Sequence, residues 1–285
     1  MPELRTPILA SLQVPFATGT DEASTLVTIT HRLWKLNEGT IYFCHRGWAQ
    51  VTINLQEYEI VENTQIVLLP GSIIRINGTS SDFRADFFAF SKEMFQEASI
   101  RLDAGFFGFL REKPCYTLPI ENIDNIDGLM RATAAIYADQ ENRFRNQIAK
   151  NHLQCFLWDI YDKCHRYFSR QQIEGRNRQD EIFKRFMTLV HEYCASEREV
   201  NFYADKLCIS TKYLTGICRS VTGKSAKQII DDFAILEIKV LLQSTELTMQ
   251  EIADRLNFPD QSYLGRYFKR HEGVAPKEYQ IKYIS

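Results

Sequence analysis

The chain has 285 residues, 45% of them hydrophobic and 25% charged, with a formal net charge of −2; this is ordinary for a soluble globular protein, and the length suggests two domains. No apolar run approaches the roughly 18 residues that a membrane span requires, and Met1-Pro2-Glu3-Leu4-Arg5-Thr6-Pro7 lacks the basic and apolar regions of a secretory signal. Seven cysteines (44, 115, 155, 164, 194, 208 and 218), an odd number with no C-x-x-C spacing, argue against a disulfide framework and for reduced thiols in a cytoplasm.

Residues from about 20 to 98 read as β structure. Thr25-Leu26-Val27-Thr28-Ile29-Thr30 is rich in β-branched residues, Ala49 to Leu55 alternates strictly, and Asp82 to Phe90 alternates in part. Asn37-Glu38-Gly39, Arg46-Gly47, Pro70-Gly71 and Asn77-Gly78 are the turn signals between the strands. Short strands at this spacing predict a small barrel or jelly roll over residues 1–120. Its aromatics, Trp34, Tyr42, Phe43, Trp48, Phe83, Phe87, Phe88 and Phe90, are core material; Trp34, Tyr42, Trp48 and Phe88 are the candidates to line a small-molecule pocket.

The pattern turns helical over 121–175. Leu153, Phe156, Leu157, Ile160, Tyr161, Cys164, Tyr167 and Phe168 follow helical spacing in a wide stripe, expected to pack into a core or against a second chain. The segment 142–170 is therefore the candidate dimer helix of a homodimer. Gln171 to Arg178 is polar and reads as a linker. From residue 179 onward the chain reads as almost all helix. Ile182, Phe183, Phe186, Leu189, Val190 and Tyr193 share one face, and Ile229, Phe233, Leu236 and Val240 share another within a helix predicted over 226–243. Ser210 is placed to cap a helix, and Thr248-Met249-Gln250-Glu251 fits a capping box.

Two stretches of this last region repeat. Tyr213-Leu214, Arg219, Gly223 and Lys227 recur 50 residues later as Tyr263-Leu264, Lys269, Gly273 and Lys277, while Ala204-Asp205-Lys206-Leu207 recurs 49 residues later as Ala253-Asp254-Arg255-Leu256. One of the two turns therefore carries an extra residue. A duplicated helix–turn–helix accounts for this. Such a motif needs a small residue where its helices cross, apolar locks, and a free polar face for base edges. Ala204 and Ala253 suit the crossings. Leu207, Leu214 and Ile217 would lock the first motif; Leu256, Leu264 and Phe268 would lock the second. The candidate DNA-binding residues are then Thr211, Lys212, Thr215 and Arg219 in the first motif and Gln261, Ser262, Arg266 and Lys269 in the second. Arginine reads guanine bidentately and glutamine reads adenine; lysine and hydroxyl groups more often hold phosphate. The helix at 226–243 spans roughly 27 Å at about 1.5 Å per residue, close to the roughly 34 Å between successive major grooves on one face of DNA.

The charge balance has the right sign. From Arg176 to the end there are 17 basic and 15 acidic residues, against 17 and 21 in the rest. Phosphate binding needs local basic clusters, not a basic chain.

Glu251-Ile252-Ala253-x-x-Leu256-x-Phe258-x-Asp260-Gln261-Ser262-Tyr263-Leu264-x-Arg266-x-Phe268-Lys269, followed by Gly273 and Ala275-Pro276-x-x-Tyr279, resembles the DNA-binding domain of the AraC/XylS family of bacterial transcription regulators, over about 185–283. The resemblance implies a seven-helix domain with two helix–turn–helix motifs. Through Leu68-Leu69-Pro70-Gly71 and the strand spacing it also implies an upstream cupin-like sensory or dimerisation domain. The chain departs from the family pattern where Asn257 replaces a usual glycine, Ala234 a common spacer-helix arginine, Ile238 a common alanine and Cys218 an expected aromatic. Gly216 stands at a position often used for base contact, so the first motif is expected to read DNA more weakly.

The expected architecture is thus α+β and multidomain: a cupin-like β-barrel (1–120), a helical dimerisation and linker region (121–175) and an all-α domain with two helix–turn–helix motifs (179–285). The expected function is sequence-specific binding of double-stranded promoter DNA by a cytoplasmic regulator, with a small effector and RNA polymerase as further partners and no membrane. A metal-dependent cupin enzyme with a helical appendage is the competing class. Metal-binding cupins cluster histidines with a carboxylate; this β region has only His31 and His45, so no metal, cofactor or catalytic residue is expected.

Overall fold

The computed structural model describes residues 14–22, 32–169, 178–245 and 247–284. The expected strand Thr25–Thr30, His31 and linker residues 171–177 lie outside them. The chain divides into two compact units, one reaching to residue 174 and the other running from 175 and also taking in residues 32–34.

Nine strands occur among the described residues, all in the first unit except for Trp34 of β2: β1 (Phe16–Glu22), β2 (Trp34–Lys35), β3 (Gly39–Arg46), β4 (Ala49–Ile53), β5 (Gln56–Ile60), β6 (Thr64–Leu68), β7 (Ile73–Thr79), β8 (Arg84–Phe90) and β9 (Cys115–Thr117). They form two sheets, in the orders β1-β8-β3-β6-β9 and β2-β7-β4-β5. The expected barrel is therefore not closed: the two sheets make an open, jelly-roll-like pair. Strand alternation gives the first sheet two different faces. Ile41 stands opposite Phe88, and Tyr42 opposite Phe87. Ile41, Phe43, Val67, Phe88 and Phe90 join the helices in one core. Tyr42 and Phe87 point to the other side and are also buried.

Two turn signals behave differently from expectation. Asn77-Gly78 lies inside β7, not at a turn. Gln50 pairs with Gly78 while Val51 pairs with Ile76, so Asn77 is the extra residue of a bulge. Its side chain ties that bulge down, donating to Thr52 Oγ1 at 2.9 Å and accepting from Arg75 Nε at 2.8 Å. Conversely, the alternating run Ala49–Leu55 stops at Ile53, because Asn54 adopts a left-handed φ of 56° and turns the chain.

Two short helices follow β8: α1 (Lys92–Ala98), inside the stretch read as β, and α2 (Ala104–Glu112), just beyond it. Ser91 and Asp103 start them by accepting from Met94 N and Phe106 N. The helical region resolves into α3 (Ile123–Ala138) and α4 (Arg145–Tyr167). The wide stripe of α4 is turned inward: Leu153, Phe156, Leu157, Ile160 and Cys164 belong to the core against the first sheet. The large apolar side chains that α4 leaves exposed are Trp158 and Tyr167.

The second unit contains seven helices among the described residues: α5 (Arg178–Tyr193), α6 (Val200–Lys206), α7 (Thr211–Thr222), α8 (Ala226–Ser244), α9 (Met249–Arg255), α10 (Gln261–Glu272) and α11 (Pro276–Ile284). Caps mark the starts. Ser210 accepts from Tyr213 N, and Thr248 with Glu251 forms the expected capping box. A second box, Ser225 with Gln228, opens α8. Thr248→Ala removes the side chain that satisfies an orphan amide of α9, and is expected to cost about 1 kcal/mol in denaturant unfolding.

Candidate nucleic-acid interface

Each half of the second unit is a pair of helices joined by a tight turn, and the two turns share one mechanism. After α6, Ile209 N donates to Ala204 O and Cys208 N to Asp205 O; after α9, Phe258 N donates to Ala253 O and Asn257 N to Asp254 O. This pattern stops a helix by satisfying its last carbonyls, and it requires one residue in the left-handed region. Those residues are Cys208 (φ 55°) and Asn257 (φ 54°). Asparagine tolerates that region; a cysteine bears the steric cost of its Cβ. Cys208→Gly is therefore expected to raise unfolding stability by about 0.5–1 kcal/mol, read from the denaturant midpoint. The extra residue of the repeat is also located. The first turn is Leu207-Cys208-Ile209-Ser210, and the second is Leu256-Asn257-Phe258-Pro259-Asp260, so the inserted residue is Pro259 just before the Asp260 cap.

The crossings and locks sit as the repeat implied. Ala204 and Ala253 are buried at the crossings, and Leu207, Leu214, Ile217, Leu256, Leu264 and Phe268 are buried around them. Residues 212–220 and 262–270 have identical runs of exposed, half-buried and buried positions. Both second helices end on a left-handed glycine, Gly223 (φ 76°) and Gly273 (φ 77°), which explains why those two glycines repeat.

On the outward face of α7, Lys212 and Arg219 are exposed and Thr211 and Thr215 half-buried; on α10, Gln261, Ser262, Arg266 and Lys269 are all exposed. Three pairs, Thr211 with Gln261, Lys212 with Ser262 and Arg219 with Lys269, fall at matching positions of the two helices, while Thr215 and Arg266 each stand opposite a glycine of the other helix, Gly265 and Gly216. A shallow groove between the start of α6 and α7 is lined by Asn201, Thr211, Lys212, Thr215 and Arg219. The last turn of α10 adds Arg270 and His271 to Lys269, so the basic residues cluster locally. Residue-type reasoning passed over Tyr213 and Tyr263. They are 42% and 45% exposed at equivalent positions, and the guanidinium of Arg266 lies 5.8 Å from the Tyr263 ring. Their recurrence at an offset of 50 was the available signal in the sequence. Tyr267, by contrast, is buried and donates to Asp231 Oδ1 at 2.7 Å; burial, then that bond, raises its pKa well above the ordinary tyrosine range.

Of the four candidate ligand-pocket residues, Tyr42 and Phe88 are parted. Tyr42 and Phe88 occupy opposite faces of the first sheet, and Phe88 packs on Phe16, Phe90 and Phe156. Trp48 is 43% exposed at a strand end, and Trp34 is half-buried on β2. His45 Nε2 is 3.0 Å from Asp86 Oδ2 on the neighbouring strand β8. Among the described residues no three His, Cys, Asp or Glu side chains are grouped to hold a metal ion, and no helix is long and apolar enough to cross a membrane.

Residues 203–281 match the family model of a helix-turn-helix domain. The chain is 29% identical over 92 residues to the Msm operon regulatory protein of Streptococcus mutans, covering 32% of this chain and 33% of that protein. It is 28% identical over 85 residues to the arabinose operon regulatory protein of Escherichia coli, covering 30% and 29%. Its matched region thus spans about a third of the length of these relatives. Among solved structures, ToxT from Vibrio cholerae aligns over 94% of this chain and 98% of its own at 19% identity, with a TM-score of 0.47. The C-terminal domain of AraT from Geobacillus stearothermophilus aligns over 37% and 88% at 26% identity, with a TM-score of 0.35.

Proposed function

We propose that this chain, whose C-terminal third is a helix–turn–helix domain of the AraC/XylS family, is a sequence-specific regulator of transcription that reads two successive major grooves of promoter DNA. The observation that carries the reading is the pair of matched faces on α7 and α10, joined by the 19-residue helix α8. At about 1.5 Å per residue α8 is roughly 28 Å long, of the order of one groove repeat. Gln261 and Arg266 are the proposed base readers of the second half, and Lys269 and Arg219 the proposed phosphate contacts. Gly216 offers no side chain, so the first half reads with Thr211, Lys212 and Thr215.

The first unit supplies the signal in this reading. A small effector or a second copy of the chain, docked on that unit, shifts the population of DNA-competent states; RNA polymerase is the proposed downstream partner, and the protein performs no catalysis in the cytoplasm. Salt-dependent fluorescence anisotropy on promoter duplexes tests the function. Sequence-preferring binding that weakens steeply with salt is expected. Equal affinity for scrambled duplexes at every salt concentration contradicts it.

A further inference from the structure

The two halves of the second unit have separate apolar cores. Ala226, Ile229, Ile230 and Phe233 at the start of α8 belong to the core of the first motif. Ala234, Ile235, Ile238, Leu241 and Leu242, further along the same helix, belong to the core of the second. One helix joining two independent cores leaves the relative attitude of the motifs dependent on whatever else crosses between them.

Ala195, in the loop between α5 and α6, packs against the second core, and the polar contacts that cross converge on Arg198 in the same loop. Its guanidinium donates from Nη1 to Leu256 O at 2.6 Å and from Nη2 to Asn257 O at 2.5 Å. These are carbonyls of the turn in the second motif. Nη1 also donates to Ala195 O in its own loop at 2.9 Å. The guanidinium carbon lies 3.9 Å from the ring centre of Phe258. The clasp is reciprocal, because Asn257 Nδ2 donates back to Ser196 O at 3.2 Å. A second line of contacts runs from the same residue: Lys227 Nζ donates to Arg198 O at 2.9 Å and lies 3.0 Å from Asp231 Oδ1, which accepts from Tyr267 of α10. The planar fork of an arginine suits two adjacent carbonyls at a helix C-terminus, where the helix dipole also favours a cation. The corresponding position of the second repeat, 49 residues on, is Leu247, packed against the second core. The clasp therefore has no twin; it links the first half to the second in one direction.

We propose that Arg198 is a positioning residue that fixes the second reading helix relative to the first, and so sets the half-site separation the protein accepts. This rests on the two-groove reading above. Adding one base pair between half-sites displaces the outer one by about 3.4 Å and rotates it by about 35° at 10–10.5 base pairs per turn. A clasped pair of motifs cannot follow that change, whereas a pair joined by α8 alone can bend toward it.

The test uses the full chain with 30-base-pair duplexes carrying the half-sites that the wild-type protein selects from a random library, at the selected spacing and with one base pair added or removed. The wild type is expected to lose about 30-fold or more in affinity at either altered spacing. Arg198→Ala is expected to bind all three within about 3-fold, and Arg198→Lys, which keeps the charge but not the fork, to fall between them. Arg198→Ala retaining the full wild-type discrimination overturns the proposal. Amide exchange on the DNA-free full chain gives a second reading, with either variant: faster exchange over 256–264 and unchanged exchange over 203–218 support the clasp, and unchanged exchange in both overturns it. If the wild type selects no sequence at all, the DNA-reading assignment fails, and the exchange experiment still decides the clasp.

Discussion

Replacing Phe268 by alanine is expected to remove about 3–5 kcal/mol of stability. Phe268 is completely buried and meets the Tyr279 ring edge-on at 5.3 Å. It also belongs to the core that holds Leu256, Leu264 and the second half of α8. Truncation leaves a cavity under α10 that its neighbours can only partly fill. Because the first motif has its own core, the damage should be local. Amide exchange should accelerate over roughly 249–279 while 203–218 keeps its protection. Uniform acceleration over both halves would show that the two cores unfold as one.

The second large effect is on recognition. Arg266→Ala is expected to cost about 1–3 kcal/mol, roughly 5- to 150-fold, against the preferred base at a single position, with much less loss when that position is already substituted. Arg266 is exposed on the outward face of α10, near the Tyr263 ring, so its removal disturbs no core. Lys269→Ala provides the contrast. It should weaken binding evenly across sequences and lower the slope of log affinity against log salt by about 1. An even loss for Arg266→Ala would reassign that arginine to phosphate.

The second unit was legible because its signals are local. The helical period of 182–193, the caps at Ser210 and Thr248, and the repeated glycines all act within a few residues. The 49-versus-50 offset announced an insertion, which geometry placed at Pro259. The clasp was invisible in the sequence. Arg198 stands in a polar loop like many exposed arginines, and its partners are backbone carbonyls 58 and 59 residues away. Carbonyls leave no mark on residue type.

The first unit was less legible for a related reason. Strand propensity located β4 and β8, but whether strands close a barrel depends on pairing between distant segments. The Asn77-Gly78 pair, a strong turn signal, became a bulge because β4 supplied a partner on both sides of it. Likewise the α4 stripe announced burial without saying against what, and the first sheet took it. Tyr42 and Phe88, two of the four aromatics chosen for a pocket, part because alternation along β3 and β8 sends them to opposite faces.

The central claim is that one polypeptide reads two neighbouring grooves with α7 and α10. Selection of binding duplexes from a random library by the full chain tests it most directly. The account predicts a bipartite consensus with its two conserved blocks about 10 base pairs apart, centre to centre, the block assigned to α10 being the sharper and losing one position in Arg266→Ala. A single conserved block unaffected by substitutions in either α7 or α10, or no enrichment over the starting library at moderate salt, would contradict it.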